Sequence, residues 1–127
     1  MADTVAAVFG GLYLLVGLIG LLLTPGGAVL GIFPANLFHH LFHLVVGGLG
    51  PLAAWRGRGR LYCQVMGVVF LVLAALGLAA PGLAALILAQ PNVDMLTDNL
   101  LHLMTGIGLA YFGFVPQGTI RPARGQA

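Results

Sequence analysis

The sequence of 127 residues contains no serine, no lysine and no glutamate, and its one cysteine is Cys63. A serine nucleophile and a Schiff-base lysine are therefore excluded. One cysteine also rules out an intramolecular disulfide and a cysteine-based zinc site, and the motif for covalent haem attachment is missing. Because no nucleophile and general-base pair can be assembled from these residue types, we do not expect an enzyme.

Charge is scarce as well, at 6% of the residues, whereas 60% are hydrophobic. Since soluble domains are about one quarter charged, this composition predicts an integral membrane protein. The apolar runs approach the roughly 20 residues that a helix needs to cross a bilayer. Residues 1–127 are predicted to form a single transmembrane domain with four transmembrane helices, at about 6–24, 36–55, 61–80 and 98–115.

The five arginines indicate the topology of these helices. Arg56, Arg58 and Arg60 lie in the loop between the second and third predicted helices, and Arg121 and Arg124 lie in the C-terminal tail. One topology places all five on the same side, and the positive-inside rule makes that side the cytoplasm. Both termini are therefore predicted to be cytoplasmic. Five arginines do not form a nucleic-acid-binding surface, so we expect membrane lipid and no nucleic acid as a partner.

The sequence contains an internal repeat. The segment His43-Leu44-Val45-Val46-Gly47 is matched by His102-Leu103-Met104-Thr105-Gly106, and the flanking residues agree at an offset of about 57 residues. Repeat one covers about 6–55 and repeat two about 61–115. Each repeat has two spans, so the repeats are parallel about an axis along the membrane normal. We predict an all-α integral membrane four-helix bundle built from two tandem helical hairpins.

All four histidines lie within the apolar runs, although an imidazole that faces lipid is costly. His39 and His43 are four residues apart on one predicted helix, as are Asp98 and His102 on another, and residues at this spacing share a helix face. We expect both faces to turn inward, with His43 and His102 at similar depth. His40 is expected to face lipid at the headgroup level, and Asp98 is expected to be the N-cap of its helix.

Four uses of these histidines remain open. The first is axial ligation of a b-type haem or a chlorin-like pigment by His43 and His102, where Gly47 and Gly106 would leave room for a flat macrocycle. The second is a metal ion, with ligands drawn from four residues: His39, His43, His102 and Asp98. The third is a proton relay. The fourth is helix packing through hydrogen bonds to backbone carbonyls or between imidazoles.

Three parts of the chain also carry a family resemblance. They are residues 33–39 with His43-Leu44, the segment 56–62, and residues 102–106 through Tyr111-Phe112-Gly113-Phe114. Over about residues 6–115 the chain resembles a small bacterial four-helix membrane family catalogued as domain of unknown function 4383. The resemblance implies four spans in the bacterial cytoplasmic (inner) membrane, and it implies no activity or cofactor.

These observations lead to two functional hypotheses. The first is an accessory or structural membrane protein that acts through helix contacts, either as a homo-oligomer or as a subunit of a larger membrane complex. Small residues at helical spacing and short loops favour this role. The alternative is a membrane protein that binds haem, a pigment or a metal ion through the repeat-related histidines.

Overall fold

The computed structural model of the chain describes residues 1–24, 35–87 and 96–116, and helices are the regular structure found there. Five helices follow one another in these ranges: α1 (Ala2–Leu23), α2 (Leu37–Trp55), α3 (Gly59–Ala79), α4 (Pro81–Ile87) and α5 (Leu96–Phe114). The all-α prediction is confirmed. The C-terminal tail with Arg121 and Arg124 lies outside the described residues.

Three of these helices are long and apolar enough to cross a membrane, namely α1, α2 and α3. They lie close to the first three predicted spans and confirm the membrane character of the chain. α5 has 19 residues, but four of the seven residues in its first two turns are polar: Thr97, Asp98, Asn99 and His102. Its composition is therefore less apolar than that of the other three, and it is not among the three candidate spans.

The outer surface of the helices is apolar, as a lipid environment requires. Large hydrophobic side chains such as Leu22, Val45 and Met104 are more than half exposed. Their exposure in water would be unfavourable, whereas acyl chains would cover them at little cost. The buried interior includes Ala6, Tyr13, Phe70 and Leu109.

α1 packs along α2 through glycines on both helices. A Cβ atom at Gly47 would lie 2.6 Å from the Cα of Leu14, and one at Gly50 would lie 2.6 Å from the Cα of Gly10. Because no methyl group fits at either place, the two backbones are in direct contact. Such close approach through small residues is a common way for membrane helices to associate.

α3 packs against α5 in a corresponding way. A Cβ atom at Gly67 would lie 2.6 Å from the backbone nitrogen of Ala110, and one at Gly106 would lie 2.9 Å from that of Leu71. Gly106 thus occupies in α5 the place that Gly47 occupies in α2. The two helix pairs meet where the rings of Tyr13 and Phe70 stack, with their centroids 5.0 Å apart.

Polar contacts connect the helices at the end that carries the arginine loop, residues 56–60. The carboxylate of Asp3 accepts a hydrogen bond from the backbone N–H of Gly59 at 2.8 Å, where it also faces the positive end of the α3 dipole. Arg60 Nε and Gln64 Nε2 each donate to the carbonyl oxygen of Gly113 at 3.0 Å. The start of α1, the arginine loop and the end of α5 therefore lie together.

At the opposite end, the side chain of Asn36 caps α2. Its oxygen accepts a hydrogen bond from the backbone N–H of His39 at 2.8 Å, which satisfies one of the donors that a helix start leaves free. The cap fixes where α2 begins, and with it the position of His39 in the first turn.

The packing of α1 on α2 predicts that alanine substitutions at two adjacent glycines will change the free energy of unfolding differently. Gly47→Ala should lower the free energy of unfolding by about 1–3 kcal/mol, because the new methyl group would collide with the α1 backbone. Gly48→Ala is the matched control, since a Cβ atom there has no described neighbour within 4 Å. Unfolding by SDS titration in mild detergent measures both variants. Equal losses of stability would contradict the glycine contact.

Candidate functional site

The buried polar side chains gather at the end of the helices opposite the arginine loop. His39 lies in the first turn of α2 and Asp98 in the first turn of α5, and His43 and His102 each follow one turn later. At 1.5 Å per residue, all four lie within about 9 Å of the start of their helix. Each is at most 5% exposed. The backbones of α2 and α5 do not touch within the described ranges, so the two helices meet through these side chains.

His39, Asp98 and His102 form the tightest group. Asp98 Oδ1 lies 3.8 Å from His39 Nε2, and Asp98 Oδ2 lies 3.8 Å from His102 Nδ1. One ligand atom from each residue lies within 4.8 Å of the other two. These distances exceed those of hydrogen bonds. A tetrahedral ion with bonds of about 2.1 Å holds its ligand atoms about 3.4 Å apart, so small side-chain movements would bring all three into coordination range.

Several polar atoms in and beside this group have no hydrogen-bond partner among the described residues. They are Asp98 Oδ2, His102 Nδ1 and both ring nitrogens of His43. A buried polar group without a partner costs about 1–3 kcal/mol, and more when it carries charge. Ligation of a cation would offset this cost for the carboxylate and the imidazole together.

His43 lies beside the group and is not part of it. Its ring contacts that of His39 edge-on, with centroids 4.4 Å apart, and contacts the ring of Tyr13 at 5.0 Å. The cluster of ligand atoms within 4.8 Å contains His39, Asp98 and His102 only. Of the four predicted metal ligands, the structure thus brings three together and places the fourth next to them.

The two glycines do not provide the space that a haem or chlorin would need. Gly47 faces the α1 backbone at Leu14, and Gly106 faces Leu71 of α3, so neither glycine opens a slot beside its histidine. The ring of Phe70 also stacks on that of His102, with centroids 5.4 Å apart. The two glycines allow close helix packing, and the room for a macrocycle inferred from their spacing is taken by α1 and α3.

The expectation that His40 faces lipid is wrong. Its side chain is fully buried, its Nε2 atom lies 3.1 Å from the carbonyl oxygen of Thr24, and its ring packs onto Gly20. Because α1 ends at Leu23, this imidazole is placed to satisfy one of the carbonyls that a helix end leaves free. His40 therefore connects α1 to α2 and points away from the cluster.

The N-cap prediction for Asp98 is also wrong. α5 begins at Leu96, which places Asp98 within the first turn. A carboxylate there is still stabilised by the positive end of the helix dipole. Its side chain is directed between His39 and His102 and lies nearly 4 Å from each.

Sequence reasoning did not find two contacts that hold the cluster in place. The hydroxyl of Tyr13 donates to Thr105 Oγ1 at 3.0 Å, one turn along α5 from His102. The side chain of Asn99 packs onto Gly77, just as His40 packs onto Gly20 in the first half. The internal repeat could have indicated the second contact, because the repeat relates Gly20 to Gly77 and His40 to Asn99.

Comparison with known proteins places the chain in one family. No curated protein and no solved structure matches it. Residues 3–115 match the family described as "Domain of unknown function (DUF4383)", a range that includes nearly all of the described helices and every residue of the cluster. The resemblance found in the sequence is confirmed, and the chain belongs to this DUF4383 family.

Proposed function

We propose that this protein is a multi-pass membrane protein that binds a divalent transition-metal ion among His39, Asp98 and His102. One observation carries the proposal, namely three ligand atoms from three buried side chains within 4.8 Å of one another. Ionisable side chains inside a membrane protein are costly and are usually paired or functional. Two imidazoles and one carboxylate are a ligand set that suits Zn²⁺ and Fe²⁺ and leaves further positions open.

His43 is the proposed fourth ligand. Its ring lies next to that of His39, and neither of its nitrogens has a hydrogen-bond partner among the described residues. As the fourth ligand, His43 would have to turn one of its ring nitrogens towards the group. With His43 the proposed ligand set becomes three imidazoles and one carboxylate. In the repeat, His39 corresponds to Asp98 and His43 corresponds to His102.

The proposal includes four membrane spans, α1, α2, α3 and α5, arranged as two tandem hairpins. Matching glycine contacts within the pairs α1/α2 and α3/α5 support this arrangement. The start of α1, the arginine loop and the end of α5 lie together, as two hairpins of the same direction require. By the positive-inside rule the end with the arginine loop faces the cytoplasm of a bacterial cell. The cluster of His39, Asp98 and His102 then lies towards the outer surface of the cytoplasmic membrane.

An accessory role within a homo-oligomer or a larger membrane complex is the second candidate. Gly11 and Gly48 favour it, because a Cβ atom at either position would have no described neighbour within 4 Å. Small residues on an outer surface allow a further membrane helix to approach closely. The two candidates differ in whether the purified protein binds a metal ion.

The metal proposal predicts the binding behaviour of single-residue variants. Metal-free protein in mild detergent should bind one equivalent of Zn²⁺ in a calorimetric titration. His39→Ala, Asp98→Ala and His102→Ala should each weaken this binding by about 100-fold or more, since each removes a direct ligand and loss of an outer partner alone costs 10–100-fold. His40→Gln is the matched control, because His40 is equally buried but faces Thr24. It should bind Zn²⁺ as the unaltered protein does.

Three outcomes would contradict the metal proposal or its ligand assignment. If the unaltered protein binds no Zn²⁺, the accessory role becomes the better hypothesis. If His40→Gln weakens binding as much as His102→Ala does, the assignment of His102 as a ligand is wrong, because the loss reflects general destabilisation. If the protein purified from cells shows a Soret band that His102→Ala removes, the ligand is a haem.

The four-span arrangement predicts the accessibility of engineered cysteines in a Cys63→Ala background. A membrane-impermeant maleimide added to intact cells should label Leu37→Cys and Leu96→Cys, which begin α2 and α5. Arg58→Cys and Phe114→Cys, at the opposite end, should react only after the cells are opened. Labelling of Leu96→Cys and Phe114→Cys from the same side would show that α5 does not cross the membrane.

A further inference from the structure

A groove lies between the end of α2 and the start of α3, at the end of the helices opposite the histidine cluster. Its volume is about 250 Å³. Arg56 and Arg58 line it next to the loop, and the rest of its wall is largely apolar: Leu49, Leu52, Leu61, Val65 and Met66. An apolar surface with two cations at one end favours a ligand that is apolar along its length and anionic at its head.

The two cations at the groove are available to bind an anion. Neither Arg56 nor Arg58 forms an ion pair with a carboxylate of the described residues. Asp3, the acidic residue described at this end, is engaged by the N–H of Gly59. The third arginine of the loop, Arg60, is instead engaged with the carbonyl of Gly113. The loop therefore presents two guanidinium groups that the rest of the described structure does not neutralise.

The groove lies where a lipid molecule would meet it. The arginine loop joins α2 to α3, which are both candidate spans, so it marks the membrane surface. Trp55 is 80% exposed beside the loop, at the headgroup level that tryptophan prefers. From Trp55 to Leu49 the helix rises about 9 Å. The apolar wall therefore extends from the headgroups into the acyl region.

We propose that this groove binds an anionic phospholipid. Arg56 and Arg58 hold its phosphate, because a guanidinium group offers paired donors that match phosphate oxygens. One acyl chain follows the wall past Leu52 and Val65. A free phosphate would gain nothing from this wall, and a zwitterionic lipid would bring a cation beside the arginines. The site is independent of the metal proposal, because it shares no residue with the histidine cluster.

Native mass spectrometry of the detergent-solubilised protein tests the head-group contacts. Phosphatidylglycerol should bind more tightly than phosphatidylcholine, and Arg56→Gln/Arg58→Gln should remove a preference of about 30-fold, the effect expected of two arginines near a membrane surface. Arg60→Gln is the matched control, since that side chain is engaged with Gly113. Equal binding of the two lipids, or an equal effect of Arg60→Gln, would overturn the proposal.

A second pair of variants tests the apolar wall. Val65→Trp should fill the groove and weaken phosphatidylglycerol binding, whereas Val68→Trp, on the same helix but outside the groove, should not. Both positions are about half exposed, so neither variant should prevent folding. Equal effects of the two tryptophans would overturn the acyl-chain assignment. Displacement of the lipid by millimolar inorganic phosphate would identify a simple phosphate site instead.

Discussion

The carboxylate of Asp98 lies between the imidazoles of His39 and His102, and this is the contact through which α2 meets α5. α2 and α5 do not touch through their backbones, so these side chains bridge them. In an interior this apolar, three polar groups separated by nearly 4 Å stabilise little by themselves and cost free energy through lost solvation. A cation among them would convert that cost into a stable connection between the pairs.

The internal repeat explains why the buried cluster mixes imidazoles with a carboxylate. Gly20 with His40 and Gly77 with Asn99 are equivalent contacts, and the stacked rings of Tyr13 and Phe70 lie between the halves. The glycine contacts are the same in both halves, but the polar residues at equivalent positions differ. The imidazole of His39 in the first turn of α2 therefore lies opposite the carboxylate of Asp98 in the first turn of α5. The polar residues that give α5 its lower hydropathy are thus the residues that build the cluster.

The features that the sequence predicted are those that depend on local pattern. Apolar runs of suitable length gave the helices, and the spacing of four between Asp98 and His102 correctly placed both on one buried face. Periodicity identifies a face but not the neighbour that covers it. It therefore missed the Thr24 carbonyl opposite His40, and it left open a space at Gly47 that the backbone of another helix fills.

The most direct test of metal binding by His39, Asp98 and His102 is X-ray absorption at the zinc edge of protein loaded with one equivalent of Zn²⁺. The metal proposal predicts a nitrogen and oxygen shell at about 2.0–2.1 Å, with the outer-shell scattering of at least two imidazoles. Removal of His102 should reduce that imidazole signal by one ligand. A shell of oxygen alone, or a spectrum that His102→Ala leaves unchanged, would show that the buried cluster is not a metal site.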